Sequence, residues 1–163
     1  MSIVLARIDS RLIHGQVLEA WVPHVRADCI VVVNDEAANT PLQRMIMQAA
    51  VPRDILLEIS AVDAAPALLA SPELGRRRVL LLFVDAADAL RACRLKVGYD
   101  KLNLGNMHAA EGKARYNCTI ALDQCDIDRL SEIEATGVRV VAQCVPADRE
   151  VSWHALLNSK EEP

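Results

Sequence analysis

The chain alternates short apolar runs with amphipathic stretches from end to end, and few folds satisfy that rhythm. Apolar runs at residues 2–8, 29–33, 54–59, 79–84, 101–104, 118–122 and 138–141 predict strands. The run Cys29-Ile30-Val31-Val32-Val33 has no polar position, as expected of a parallel strand covered on both faces. Helical spacing fills the gaps. Residues 15–22 put Val17, Leu18, Trp21 and Val22 on one face, with Pro23 closing the helix. Asn39-Thr40-Pro41 opens a helix whose apolar stripe is Leu42, Met45, Ile46 and Ala49. Ser60 caps a short helix through Leu69, Asp85 one through Leu90 and Cys93, and Asp123 one that buries Ile127, Leu130 and Ile133 and ends near Gly137. Such alternation predicts an α/β fold: a single doubly wound, mostly parallel sheet with helices on both faces. At 163 residues, residues 1–158 are expected to form one domain, with 159–163 as a frayed tail.

Composition narrows the function. Hydrophobic residues make up 52% of the chain but Phe, Trp and Tyr only 3%, so the core is aliphatic. That leaves little for base stacking, and a net charge of -4 does not suit a polyanion binder, so no nucleic-acid partner is expected. The most apolar run, 79–84, lies between Arg76-Arg77-Arg78 and Asp85 and is far shorter than the ~20 residues of a membrane span. The first residues lack a secretory pattern, so a cytoplasmic protein is expected. Five cysteines at 29, 93, 118, 125 and 144 show no Cys-x-x-Cys and no zinc spacing. They read as reduced thiols, Cys29 and Cys118 in or beside apolar runs. No metal, disulfide or cofactor is implied.

Ligands of open α/β sheets bind beyond the carboxyl ends of the strands. Residues 9–14, 34–39, 85–87 and 105–113 fall there. The first is the most informative, because it leaves a strand and enters a helix with His14 at the entrance. Unpaired N–H groups at a helix start favour an anion. Arg7 and Arg11 flank the loop with forked donors suited to phosphate, and Gly15 would allow close backbone approach. His14 has two readings at this point: a phosphate-contacting or phosphorylated nucleophile, or a polar residue at a helix start. No Gly-x-Gly-x-x-Gly or P-loop is present. His24 reads as surface, His108 as a loop residue, and His154 as packed beside Trp153 and Leu156.

The run Arg7-Ile8-Asp9-Ser10-Arg11-Leu12-Ile13-His14-Gly15-Gln16-Val17, followed by Trp21, resembles the opening of the IIB component of bacterial phosphoenolpyruvate-dependent sugar phosphotransferase systems, in the mannose/fructose/sorbose family. Val32-Val33-Asn34-Asp35, Leu80-Leu81-Leu82-Phe83, Leu102-Asn103-Leu104-Gly105-Asn106-Met107, Gly112-Lys113, Gly137-Val138 and Val145-Pro146 extend the likeness over nearly the whole chain. The resemblance implies a phosphotransferase. His14 would take a phosphoryl group on Nδ1 from a phosphohistidine of IIA and pass it to a sugar held by the membrane IIC/IID permease. A free imidazole is a competent nucleophile near neutral pH, and phosphoryl transfer asks mainly for positioning and charge stabilisation. Arg11 would stabilise the transferring charge. Asp9 would orient the loop, pair with an arginine or act as a cap, and Gln16 would serve the first helical turn. Asn103, Gly105 and Lys113 would line the same crevice from a neighbouring loop. A regulatory phosphoacceptor of the same fold, without sugar transport, is the alternative. A homodimer is the expected oligomer. Two positions depart from the family pattern: Ser10 stands where an acidic residue is common, and Asn106 replaces the second glycine of a Gly-Gly pair, where a positive φ is expected.

Overall fold

The structure is a computed structural model that describes residues 1–160. Its elements in chain order are β1 (Ser2–Asp9), a π-helical turn (Gln16–Trp21) running into α1 (Val22–Val25), β2 (Cys29–Val33), α2 (Asp35–Asn39), α3 (Pro41–Ala50) and β3 (Leu56–Ser60). A short 3-10 turn leads to α4 (Ala65–Leu69), and another leads to β4 (Arg78–Phe83). Then follow α5 (Ala86–Arg94), β5 (Lys101–Asn106), β6 (Ala114–Arg115), β7 (Ala121–Leu122), α6 (Gln124–Ala135), β8 (Arg139–Ala142), β9 (Val151–Ser152) and α7 (Trp153–Asn158).

Seven strands form one sheet in the order β3-β2-β4-β1-β5-β8-β9. All neighbours are parallel except β8 and β9. The expected doubly wound sheet is therefore present, with β1 at its centre between β4 and β5. Strand alternation feeds two cores. On β4, Val79, Leu81 and Phe83 face one side, where α4, α5, α6 and α7 contribute Leu69, Leu90, Leu130 and Trp153. Leu80 and Leu82 face the other, against Val17, Trp21, Val22 and Met47. Full burial of each such side chain is worth about 1.5–3 kcal/mol. Helices thus cover both faces. Two caps fall where the sequence puts them: Asp85 and Asp123 accept from the N–H groups of Asp88 and Asp126.

Several expectations are corrected. The helix after His14 is wound as a π turn, with the Val22 N–H reaching Val17 O. Pro23 does not close it but sits in the first turn of α1, where its missing N–H costs nothing. An additional helix, α2, is capped by Asn34, whose side chain accepts from the Ala37 N–H. The stripe Leu42, Met45, Ile46 and Ala49 faces solvent, since α3 turns Arg44 and Met47 inward instead. Residues 118–122 add no strand to the main sheet; β7 pairs antiparallel with β6. Cys118 is exposed, while Cys29 is buried, and burial pushes the Cys29 thiol up to about 12. His154 does pack against the Trp153 ring, 4.7 Å between centroids, but from an exposed position where it bonds Glu134. Of the expected frayed tail, residues 161–163 lie outside the described residues. No helix among the described residues is long and apolar enough to cross a membrane.

Candidate active site

The first loop leaves β1 at its carboxyl end, at the middle of the sheet. Arg7 and Asp9 are consecutive residues on one face of β1, and both side chains are fully buried. A buried guanidinium needs its donors satisfied. Arg7 meets that demand with Nε to Asp9 Oδ2 at 3.1 Å, Nη1 to Asn103 Oδ1 at 2.6 Å and to Gln143 O at 3.0 Å, and Nη2 to Cys144 O at 3.0 Å. The Trp21 ring lies 5.1 Å from the guanidinium carbon, in cation–π range, and its indole N–H donates to Cys144 O. Burial lowers the Arg7 pKa, and the Asp9 charge opposes that fall.

Asp9 passes the contact to His14. Its Oδ2 lies 2.9 Å from His14 Nε2, and its Oδ1 accepts the Arg11 N–H at 3.0 Å. Burial pushes the Asp9 carboxyl up. The His14 hydrogen bond, the Arg7 and His14 charges and the Arg11 N–H outweigh it, so the pKa lies below the ordinary value. Asp9 is therefore a carboxylate and accepts, which places a proton on His14 Nε2. In the neutral ring, that tautomer leaves the lone pair on Nδ1. The chain Arg7–Asp9–His14 engages one ring nitrogen and leaves the other without a partner.

The loop itself is tight. Leu12 N–H donates to Asp9 O at 2.9 Å, closing a turn, and Ser10 N–H donates to Asn106 O at 2.9 Å. Leu12 has φ of 54°, a left-handed conformation that costs a bulky residue about 1–3 kcal/mol. The His14 side chain is only 8% exposed, and its Nδ1 is buried without a hydrogen-bond partner. The ring lies back against Asp9 rather than facing solvent.

The other expected residues divide. Arg11 is exposed, and its side chain makes no hydrogen bond or ion pair among the described residues, so its guanidinium is available to an anion. Arg7 is not; it is a buried clamp on Asp9 rather than a phosphate ligand. Asn103 belongs to that clamp, on β5 beside Arg7. Gly105 also lies within β5, not in a loop, and a Cβ there would run into the Arg7 guanidinium. Gly15 is right-handed with open space where a Cβ would be, so nothing local demands glycine. Gln16 Oε1 lies 3.6 Å from Cys144 Sγ, which ties the start of the helical turn to the loop after β8. Lys113 is engaged elsewhere, at 2.8 Å from Asp126 in the cap of α6. Asn106 is extended and not at positive φ, so the departure from Gly-Gly needs no special backbone. His108 lines a separate cavity with Asn106, Met107 and Cys118, and His24 lies exposed against Trp21.

Sequence reasoning missed Leu12, Gln143 and Cys144. A leucine carries no signal for a left-handed turn, and the other two act through backbone carbonyls. Beyond the loop is a cavity of about 320 Å³, walled by Ser10–Ile13 on one side, Gln43, Ile46 and Met47 on another, and Asn34, Glu36 and Val84 beneath. It joins segments 9–14 and 34–39, while segment 105–113 contributes nothing to it.

The family model described as "PTS system sorbose subfamily IIB component" matches residues 3–163. The N-acetylgalactosamine-specific phosphotransferase enzyme IIB component 2 of Escherichia coli K12 is 33% identical over 156 residues, 96% of this chain and 99% of that protein. The mannose-specific EIIAB component of the same organism is 29% identical over 97% of this chain, which spans 49% of that longer protein. The crystal structure of the IIBSor domain of the sorbose permease from Klebsiella pneumoniae superposes with a TM-score of 0.91 at 32% identity, covering 97% of each chain. With the first loop, the parallel sheet and the family match all pointing one way, the chain belongs to the sorbose-subfamily IIB components and is a phosphotransferase component of a sugar phosphotransferase system.

Proposed function

We propose that His14 is the phosphoryl acceptor and that Nδ1 is the reacting nitrogen. The observation that carries this reading is the 2.9 Å contact from Nε2 to a carboxylate clamped by a buried arginine. The donor is a phosphohistidine of a IIA protein. The Nδ1 lone pair forms a new P–N bond as the donor's P–N bond breaks, and the electron pair leaves with the donor imidazole. Nε2 keeps its proton throughout, and Asp9 stabilises the positive charge that phosphorylation spreads over the ring. In the second step the hydroxyl of a sugar on the membrane IIC/IID permease attacks phosphorus and gives its proton to water, the P–Nδ1 bond breaks with its electron pair going to Nδ1, and the His14 imidazole returns neutral. Arg11 supplies charge stabilisation to the phosphoryl oxygens in both steps.

Asp9, Arg7, Asn103 and Gly105 are positioning residues in this scheme. Gly15 and Gln16 form the helical entrance that receives the phosphoryl oxygens. Lys113 has no part in it. Because Nδ1 is covered, the ring or the segment around it shifts as the phosphoryl group arrives, and the left-handed Leu12 supplies strain that such a shift in the loop would release. The protein works in the cytoplasm, at the inner face of the membrane when docked on its permease. The test is to incubate the chain with phosphoenolpyruvate, the general phosphotransfer proteins and a matching IIA, then map the modified residue. An acid-labile, base-stable phosphate on His14 is the expected result. Label on any other residue refutes the assignment.

A further inference from the structure

Helix α3 turns an apolar face to solvent next to the His14 loop. Leu42, Met45 and Ile46 are 63%, 63% and 59% exposed, and their spacing puts them on one side of the helix. Isolated exposed side chains need no explanation, but a contiguous group of large ones marks an interaction surface. The face is neutral, because the one charged residue of α3, Arg44, points its guanidinium at Ala38 O and Ile59 O. It also runs into the 320 Å³ cavity, where Ile46 forms one wall and Leu12 and Ile13 the other. An occupant of this surface therefore touches the loop that leads into His14.

We infer that this face of α3 and the adjoining cavity are the docking surface for the IIA phosphodonor, whose own apolar side chain enters between Ile46 and the loop. The inference rests on the reading of His14 as phosphoryl acceptor. Three exposed side chains offer only a few hundred Å², below the ~800 Å² per partner of a stable complex. That is too small for a permanent second copy and suits a donor that leaves after each transfer. The closed loop selects the donor over the permease. A phosphoryl group has no room on Nδ1 while the ring is covered, so the covered arrangement is the one a donor meets. The permease meets a chain whose loop the phosphoryl group has already displaced.

The test uses the full chain with Ile46→Glu and, separately, Leu42→Glu, both at exposed positions that a charge leaves folded. Transfer from phosphorylated IIA is compared with labelling by phosphoramidate, a small donor that needs no docking. The expected result is a fall of about 10- to 100-fold in kcat/KM with IIA and an unchanged phosphoramidate rate. Leu95→Glu, at an exposed apolar residue just after α5, should change neither. Unchanged transfer from IIA overturns the inference, and so does an equal loss with both donors. Normal transfer from IIA with impaired sugar phosphorylation would give the surface to the permease. A parent that sediments as a dimer, dispersed by Ile46→Glu, would give it to a second copy. If neither donor labels His14 in the parent, the acceptor reading itself fails, and the docking inference with it.

Discussion

Replacing Gly105 by alanine probes the Arg7 clamp without touching any group that bears chemistry. The added Cβ would lie within van der Waals overlap of Cζ, Nη1 and Nη2 of Arg7. A guanidinium at the end of a flexible stem can normally move aside. This one is fully buried and held by Asp9, Asn103 and the Gln143 and Cys144 carbonyls, so moving it breaks a buried ion pair and takes one donor from each carbonyl. Breaking such a pair costs about 3–5 kcal/mol, a large share of the 5–15 kcal/mol that holds a domain together. With a urea m-value of about 2 kcal/mol/M, a loss of about 3 kcal/mol moves the midpoint down by about 1.5 M. Phosphorylation of His14 should fall as well, because Asp9 loses its partner. A double-mutant cycle isolates the cause: once Arg7→Ala has removed the guanidinium, Gly105→Ala should add almost nothing. A Gly105→Ala protein within 1 kcal/mol of the parent, with full phosphoryl transfer, would refute the clamp.

His14→Ala should keep its fold, losing about 1 kcal/mol for the Asp9 hydrogen bond in a denaturant titration, and should take no label from phosphorylated IIA. Arg11→Ala should change stability by no more than about 0.5 kcal/mol and slow transfer about 10²-fold, measured by rapid quench; equal rates would remove Arg11 from the mechanism. Asp88 is buried, which raises its pKa from 3.8 to about 6, although Asn34 donates to its Oδ2 at 2.7 Å. A raised carboxyl stabilises the fold below its unfolded value and loses that stability as pH climbs through about 6. The parent should therefore lose on the order of 2 kcal/mol between pH 4 and 7 from this group. Asp88→Asn should flatten that dependence in thermal melts and raise stability at pH 7, and an unchanged profile would refute the assignment.

What the sequence made legible follows from what each signal measures. Continuous apolar runs report burial on both faces, so β2 and β4 were readable and with them the parallel sheet. Periodicity reports that a stripe exists but not which way it points. Leu42, Met45 and Ile46 had the spacing of a core face and turned outward, because Arg44 and Met47 took the inward positions. The 118–122 run had strand composition, yet it pairs in a hairpin with β6 and meets the main sheet only through Met107, just past β5, since pairing partners are set by tertiary contacts. At the site, His14 and Arg11 were legible from the strand–loop–helix pattern. Arg7 was legible as a charge but not as a buried one, because burial of an arginine depends on carbonyls of residues 143 and 144, which no side-chain pattern announces. Gly105 looked like a loop glycine until the Arg7 side chain was seen to occupy the space of its missing Cβ.

In the proposed mechanism, the buried Arg7–Asp9 pair is what would leave Nδ1 free to attack phosphorus. A carboxyl as buried as Asp9, left without a cation, would be pushed upward and hold its proton near neutral pH. A protonated Asp9 would donate to His14 Nε2 instead of accepting from it. The ring proton would then sit on Nδ1, and the nitrogen that should attack phosphorus would have no lone pair. Against that burial, the His14 hydrogen bond, then the Arg7 charge, and the Arg11 N–H keep Asp9 ionised and so keep the proton on Nε2. The same arrangement would serve the proposed second transfer. When phosphorus leaves for the sugar, the ring must give up positive charge, and a fixed carboxylate with its charge already balanced by Arg7 lets it do so at little electrostatic cost. A carrier that must receive and release one group with similar ease needs its ring held in one tautomer in both directions, and a fully buried ion pair on the central strand provides that independently of which partner stands outside.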